Sequence, residues 1–171
     1  MVRIGLGQDS HRIKSKGKSK KAKVKKGLVL GGIEVDKNYY PLANSDGDVI
    51  LHSLCNALSS AIGGNSIGTW ADEMCLKKGI TDSQKYVKVV MGKIEQKGLK
   101  VGNVAVAVEA KEPRLPLKTV EKMKKEIGQL LKLKPERVGI TFTSGEKLTP
   151  FGKGKAIQVL SIVILEGGEK K

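Results

Sequence analysis

Histidine occurs only twice in this chain of 171 residues, at His11 and His52, and cysteine only twice, at Cys55 and Cys75. The cysteines lack CxxC spacing, which excludes the signature of a disulfide framework or a thiolate zinc cluster and leaves two free thiols. No apolar run approaches the roughly 20 residues of a membrane span, and the opening MVRIGLGQDS has no apolar h-region. A membrane partner is therefore not expected, and a cytoplasmic location is. Acidic residues are also scarce, 17 against 32 lysines and arginines, for a net charge of +15. That excess is local: Arg12 to Lys26 carries nine basic residues and no acidic one, so the remainder is only +6. Such a run reads as a solvated insertion at about residues 12–27. It could attract polyanions through its field, but it has no aromatic residue to stack on a base, so nucleic acid is not an expected partner.

What is present suffices for one domain. With 39% hydrophobic residues and no internal repeat, the chain can bury a single core over residues 1–171. Val2 to Leu6 reads as a strand and Leu28 to Val35 as its hairpin partner, with the basic run as the tip. Ser45 or Asp46 is placed to cap a helix whose stripe runs from Val49 to Ile62, ended by Gly63 and Gly64. A second helix starts at the capping box TDSQ, Thr81 to Gln84, and runs to the Gly98 stop. Val104, Val106 and Val108 alternate as a strand, Leu117 to Leu131 fits a third helix, and Val138 to Thr143 and Ala156 to Leu165 are β-branched strands. The order predicts an α+β fold, a mixed sheet with helices on one face.

Both histidines have aspartate neighbours. Asp9 and His11 are two apart in GLGQDSH, so on a strand they project from one face. In NSDGDVILH, His52 follows Asp48 by four residues, so on a helix the two share a face and can make a contact behind the imidazole. Asp9, His11 and His52 would make three arms of a zinc site with one position open, a Lewis acid able to polarise a phosphoryl or carbonyl oxygen. Each histidine alone reads as an ordinary surface or satisfied residue; their shared context changes that.

The ordered segments GLGQDSH, LGGIEV, NSDGDVILH, GNVAVAVEAKEPRLP and TSGEKLTPFGKGK, spanning nearly the whole chain, resemble the 2-C-methyl-D-erythritol 2,4-cyclodiphosphate synthase family. The resemblance implies a homotrimer with sites between subunits, zinc (Zn2+) on Asp9, His11 and His52, and a second divalent ion, Mg2+ or Mn2+, held through Glu146. It implies the substrate 4-diphosphocytidyl-2-C-methyl-D-erythritol 2-phosphate, a small cytidine diphosphate compound, closed to the cyclic diphosphate with loss of CMP. Asn44 and Ser144 fall at catalytic positions. Substrate contacts are implied at Asp9, Ser10, His11, Asn44 and Ser45, and at Ser66, Ile67 and Gly68. The cytosine pocket falls on Ala110, Lys111, Glu112, Pro113, Arg114, Leu115 and Pro116. Thr143, Ser144, Gly145, Glu146 and Lys153 fall around the diphosphate.

Several positions depart from that pattern. Asn44 stands where the family has histidine; it can donate a hydrogen bond but carries no proton or charge. Ser66 replaces the carboxylate of GDIG, and Ala71 to Cys75 replaces FPDTD, so the sugar-alcohol end of the substrate is read differently. Asp72 or Glu73 could compensate if the loop shifts. Lys153 stands for an arginine and keeps a point charge without the bidentate fork. Two rival readings stand beside the resemblance: a related phosphoryl-transfer enzyme with altered substrate, and a polyanion-binding protein on this scaffold, to which the Arg12 to Lys26 run together with Asn44 and Ser66 points.

Overall fold

A computed structural model describes residues 1–15 and 27–167. In chain order the strands are β1 (Val2–Ser15), β2 (Leu28–Leu30), β3 (Ile33–Asp36), β4 (Tyr39–Pro41), β5 (Leu99–Glu109), β6 (Val138–Thr143) and β7 (Ala156–Gly167). The helices are α1 (Val49–Ala61), α2 (Gly68–Leu76), α3 (Ser83–Gln96) and α4 (Leu117–Leu131). Five strands form a sheet in the order β4-β1-β7-β5-β6, in which only the β5–β6 pair is parallel. The sheet is mixed, as the sequence predicts.

Alternation along the strands decides which face is covered. Val104, Val106 and Val108 of β5 and Ile157, Val159, Val163 and Leu165 of β7 are buried, joined by Ile50, Leu54 and Leu58 of α1. The side chains between them point the other way. Ile4, Leu6, Leu160 and Ile162 are exposed on the face that no helix among the described residues covers.

α1 approaches β1 unusually closely, and glycine is the reason. A Cβ on Gly7 would lie 2.2 Å from the Ser53 carbonyl oxygen, and one on Gly5 would lie 1.9 Å from that of Ala57. With no side chains there, Ser53 Oγ donates to the Gly7 carbonyl at 3.1 Å and Asn56 Nδ2 to the Gln8 carbonyl at 3.1 Å. These contacts hold the helix directly against the strand that carries Asp9 and His11.

The hairpin expected between Val2–Leu6 and Leu28–Val35 does not form. β1 pairs with β7 from Val2 to Arg12, whereas β2 turns back on β3 in a small sheet of their own. The turn is Gly31 and Gly32, both at positive φ (60° and 84°), a two-residue glycine turn that closes a hairpin within the segment. Nor does the basic stretch leave the sheet at Arg12: Arg12 faces Ala156, and Ile13 to Ser15 pair with β4. The rest of the proposed insertion, residues 16–26, lies outside the described residues.

Neither expected helix cap is the one used. Asp48, not Ser45 or Asp46, caps α1: its carboxylate accepts from the backbone N–H of Ile50 and Leu51 at 3.1 and 3.0 Å. The same carboxylate accepts from Gly31 and Gly32 at 2.9 and 2.6 Å, binding the β2–β3 turn to the helix start. Burial pushes this carboxyl up, against the pull of the backbone donors. At α3 the cap is Asp82 rather than Thr81, and Gln84 donates to the Gly32 carbonyl instead of closing a capping box. α2 has no counterpart in the sequence reading, since only Ala71 of its residues is buried and it carries little apolar stripe. Ends and lengths of α4 and β6 match the sequence reading residue for residue.

Candidate metal centre

Asp9 and His11 project from β1 toward the helices, and His52 meets them from the first turn of α1. Asp9 Oδ2 lies 3.0 Å from His52 Nδ1 and 3.2 Å from His11 Nε2, and the two imidazole nitrogens are 3.0 Å apart. These three donor atoms form the one such cluster of histidine, cysteine or carboxylate groups among the described residues. Bonds of zinc to nitrogen and oxygen near 2.1 Å in a tetrahedron require ligand–ligand edges of about 3.4 Å. The observed triangle is within a few tenths of that size, so the donor set fits such an ion. The Asp9, His11 and His52 side chains are 24, 21 and 11% exposed, which leaves the cluster reachable from one side. Burial alone would raise the Asp9 carboxyl, but hydrogen bonds and charge attraction from His11 and His52 outweigh it and hold the group well below the usual carboxylate range. It stays an anion, as a ligand must.

The contact of Asp48 behind His52 is not made, because both Asp48 oxygens serve backbone N–H groups. Ser83 takes that place. Its hydroxyl lies 2.8 Å from His52 Nε2 and donates at 2.5 Å to Asp46 Oδ1, while its backbone N–H donates to Asp46 Oδ2 at 3.0 Å. Ser45 Oγ stands farther off, 3.4 Å from the same nitrogen. Nothing in the sequence marks Ser83 for this role, since TDSQ already reads as a helix start.

Above the cluster opens a cavity of about 780 Å³. Asn44, Ser45, Ile67 and Gly68 line it together with Asp9, His11 and His52, so these predicted residues do converge. Its far wall is Ala71, Asp72, Cys75 and Tyr86. Glu73 and Ser66 are exposed outside that lining, which leaves Asp72 as the carboxylate of α2 that faces the cavity. Ser10, between Asp9 and His11, points to the opposite face of the sheet.

A second group of predicted residues gathers elsewhere. Ala110, Lys111, Pro113, Arg114 and Leu115 surround a hollow of about 220 Å³ with Thr143 and Ser144, beyond the ends of β5 and β6. Glu112 and Pro116 belong to the same segment without lining the hollow. Gly145 and Glu146 follow in a short turn at positive φ (66° and 47°), and the side chains of Glu146 and Lys153 are exposed. Glu146 is not part of the Asp9, His11 and His52 cluster.

A family model described as the YgbB family matches residues 2–166. The chain belongs to the YgbB family. A relative from Chlamydia muridarum, named 2-C-methyl-D-erythritol 2,4-cyclodiphosphate synthase, is 37% identical over 163 residues, which cover 95% of this chain and 87% of the relative. Among solved structures, the CDP complex of IspF from Plasmodium falciparum superposes with a TM-score of 0.81 at 28% identity, covering 98% of this chain and 97% of that one. The bifunctional IspDF of Campylobacter jejuni has a TM-score of 0.85 at 28% identity, covering 99% of this chain and 43% of its own. As a YgbB family member the chain is thus similar over its length to enzymes named as synthases, and its Asp9, His11 and His52 cluster lines the cavity of about 780 Å³.

Proposed function

We propose that the chain catalyses the metal-dependent cyclisation of 4-diphosphocytidyl-2-C-methyl-D-erythritol 2-phosphate to 2-C-methyl-D-erythritol 2,4-cyclodiphosphate, releasing CMP, in non-mevalonate isoprenoid biosynthesis. The observation that carries this reading is the convergence of Asp9 Oδ2, His11 Nε2 and His52 Nδ1 at the cavity floor, in a chain whose curated relatives bear that synthase name. The 2-phosphate oxygen forms a bond to the β-phosphorus while the bond from that phosphorus to the CMP oxygen breaks, so no protein nucleophile is needed. Zinc on Asp9, His11 and His52, with Mg2+ or Mn2+ at Glu146, would supply charge neutralisation to the phosphoryl oxygens. This chain's part is positioning. Asn44 and Ser45 offer hydrogen-bond donors beside the cluster, and Asp72 accepts from the hydroxyls of the sugar alcohol. Ala110 to Pro116 takes the cytosine, with Thr143, Ser144 and Lys153 near the diphosphate.

Two features support sites shared between copies of this chain. The metal cluster and the 110–116 hollow are separate hollows in one chain, lined by no common residue. The uncovered sheet face is apolar, with Ile4 at 69%, Leu6 at 60% and Ile162 at 47% exposure, and burying it in a homotrimer removes that area from water. The test is a phosphorus NMR assay with purified protein, zinc and magnesium. Appearance of the cyclic diphosphate together with CMP is the expected result. Metal uptake without turnover of this substrate would instead favour the related enzyme with an altered substrate.

A further inference from the structure

Metal-ligating histidines work only when the ring presents a lone pair at the right nitrogen, and what selects that nitrogen is the partner of the other one. In this chain His52 offers Nδ1 to Asp9 and His11, at 3.0 Å from each partner atom, and turns Nε2 into the protein. Ser83, fully buried, meets Nε2 at 2.8 Å. A hydroxyl has one proton to give. Ser83 commits that proton to Asp46 Oδ1 at 2.5 Å, and the second Asp46 oxygen is occupied by the Ser83 backbone N–H at 3.0 Å. Asp46 is itself fixed, because its own N–H donates to the Thr81 carbonyl at 2.8 Å. The Ser83 oxygen is therefore left only as an acceptor toward His52. An acceptor at Nε2 requires the proton to be on Nε2, and Nδ1 is then the bare nitrogen.

We infer that Asp46 and Ser83 are positioning residues of the metal centre: the relay from His52 Nε2–H to Ser83 Oγ–H to Asp46 locks the tautomer and orientation in which His52 Nδ1 faces the ion. The inference rests on the reading of Asp9, His11 and His52 as metal ligands. The relay joins three pieces of chain, the loop before α1, α1 itself and the start of α3, so α3 reaches the centre without contributing a ligand.

Ser83→Ala removes the relay while leaving the Asp82 cap of α3 in place, and Asp46→Asn removes the anionic end. The experiment measures zinc affinity of the full-length protein by competition with a chromophoric chelator, and the visible spectrum of the cobalt-substituted protein, for wild type, S83A, D46N and the double variant. Thermal melts of the metal-free forms run alongside. Expected is a loss of about 10–100-fold in zinc affinity for S83A with a shifted cobalt spectrum, and a double variant no weaker than the worse single one, since both changes break one chain. Wild-type zinc affinity and an unshifted cobalt spectrum in a folded S83A overturn the relay alone. Losses that multiply in the double variant overturn it as well, because they place the two residues on separate paths. A wild-type protein that binds no zinc overturns the ligand reading itself, and the relay with it.

Discussion

Asp72 and Ser66 divide a role that the sequence alone could not assign. Both stand where the sugar-alcohol end of the substrate is expected, but only Asp72 lines the cavity with the metal cluster. Asp72→Ala is expected to lower kcat/KM by about 5- to 150-fold, the equivalent of about 1–3 kcal/mol for a lost hydrogen bond to a charged acceptor. Ser66→Ala should stay within about twofold, and steady-state kinetics on the two variants separates them. The cysteines divide in the same way. Burial pushes the Cys55 thiol far up, so it stays protonated, whereas Cys75 is half-buried at the cavity wall. Iodoacetamide should label Cys75 and spare Cys55 in the native protein, and a ligand filling the cavity should slow that labelling. Peptide mass mapping with and without ligand reads both. At this scale the ligands were legible because Asp9 and His11 sit two apart and His52 follows SDGD. Ser83 was not, since nothing in local sequence links position 83 to position 52.

At the scale of elements, the contact between α1 and β1 decides whether the three ligands meet. Gly7→Ala would place a Cβ 2.3 Å from the Ala57 backbone nitrogen as well as against Ser53. The helix must then move off the strand, at a cost of about 1–3 kcal/mol. The same displacement carries His52 away from Asp9. Reduced stability in urea together with weakened zinc binding is the expected pair of results, measured on one preparation. Asp48→Ala acts on the other end of that geometry, removing the helix cap and the acceptor for Gly31 and Gly32. The expected loss is about 2–4 kcal/mol, the sum of a cap and of buried donors left unpaired, read by urea unfolding. Helices α1, α3 and α4 were legible because apolar residues recur at helical spacing over long stretches. The β1 pairing was not, since strand partners are chosen by contacts distant in sequence, and α2 was missed for want of an apolar face.

At the scale of the whole molecule, the described residues present one sheet face clothed by helices and one left bare. Apolar side chains on the bare face, Ile4, Leu6, Leu160 and Ile162, lie next to one another by strand register, Leu6 opposite Ile162 and Gln8 opposite Leu160. Light scattering after size exclusion should give the mass of three chains for wild type. Ile162→Lys should give one, with activity falling in step, because in the proposed trimer a lysine there would be buried without a partner and each proposed shared site would lose its second half. Among the described residues no helix is long and apolar enough to cross a membrane.

The sequence by itself determined the α+β class and the span of three helices, and it marked Asp9, His11 and His52 as candidates for one ligand set. Those features are written in short-range spacing: period two on a strand, helical period on a helix, and scarce histidines beside carboxylates. Only the tertiary structure decided that β1 pairs with β7, that Asp48 holds backbone rather than His52, and that Ser83 and Asp46 stand behind the imidazole. A hydrogen bond between α1 and the start of α3 depends on how the helices pack, and packing is set by the sum of many buried contacts rather than by any local run of residues.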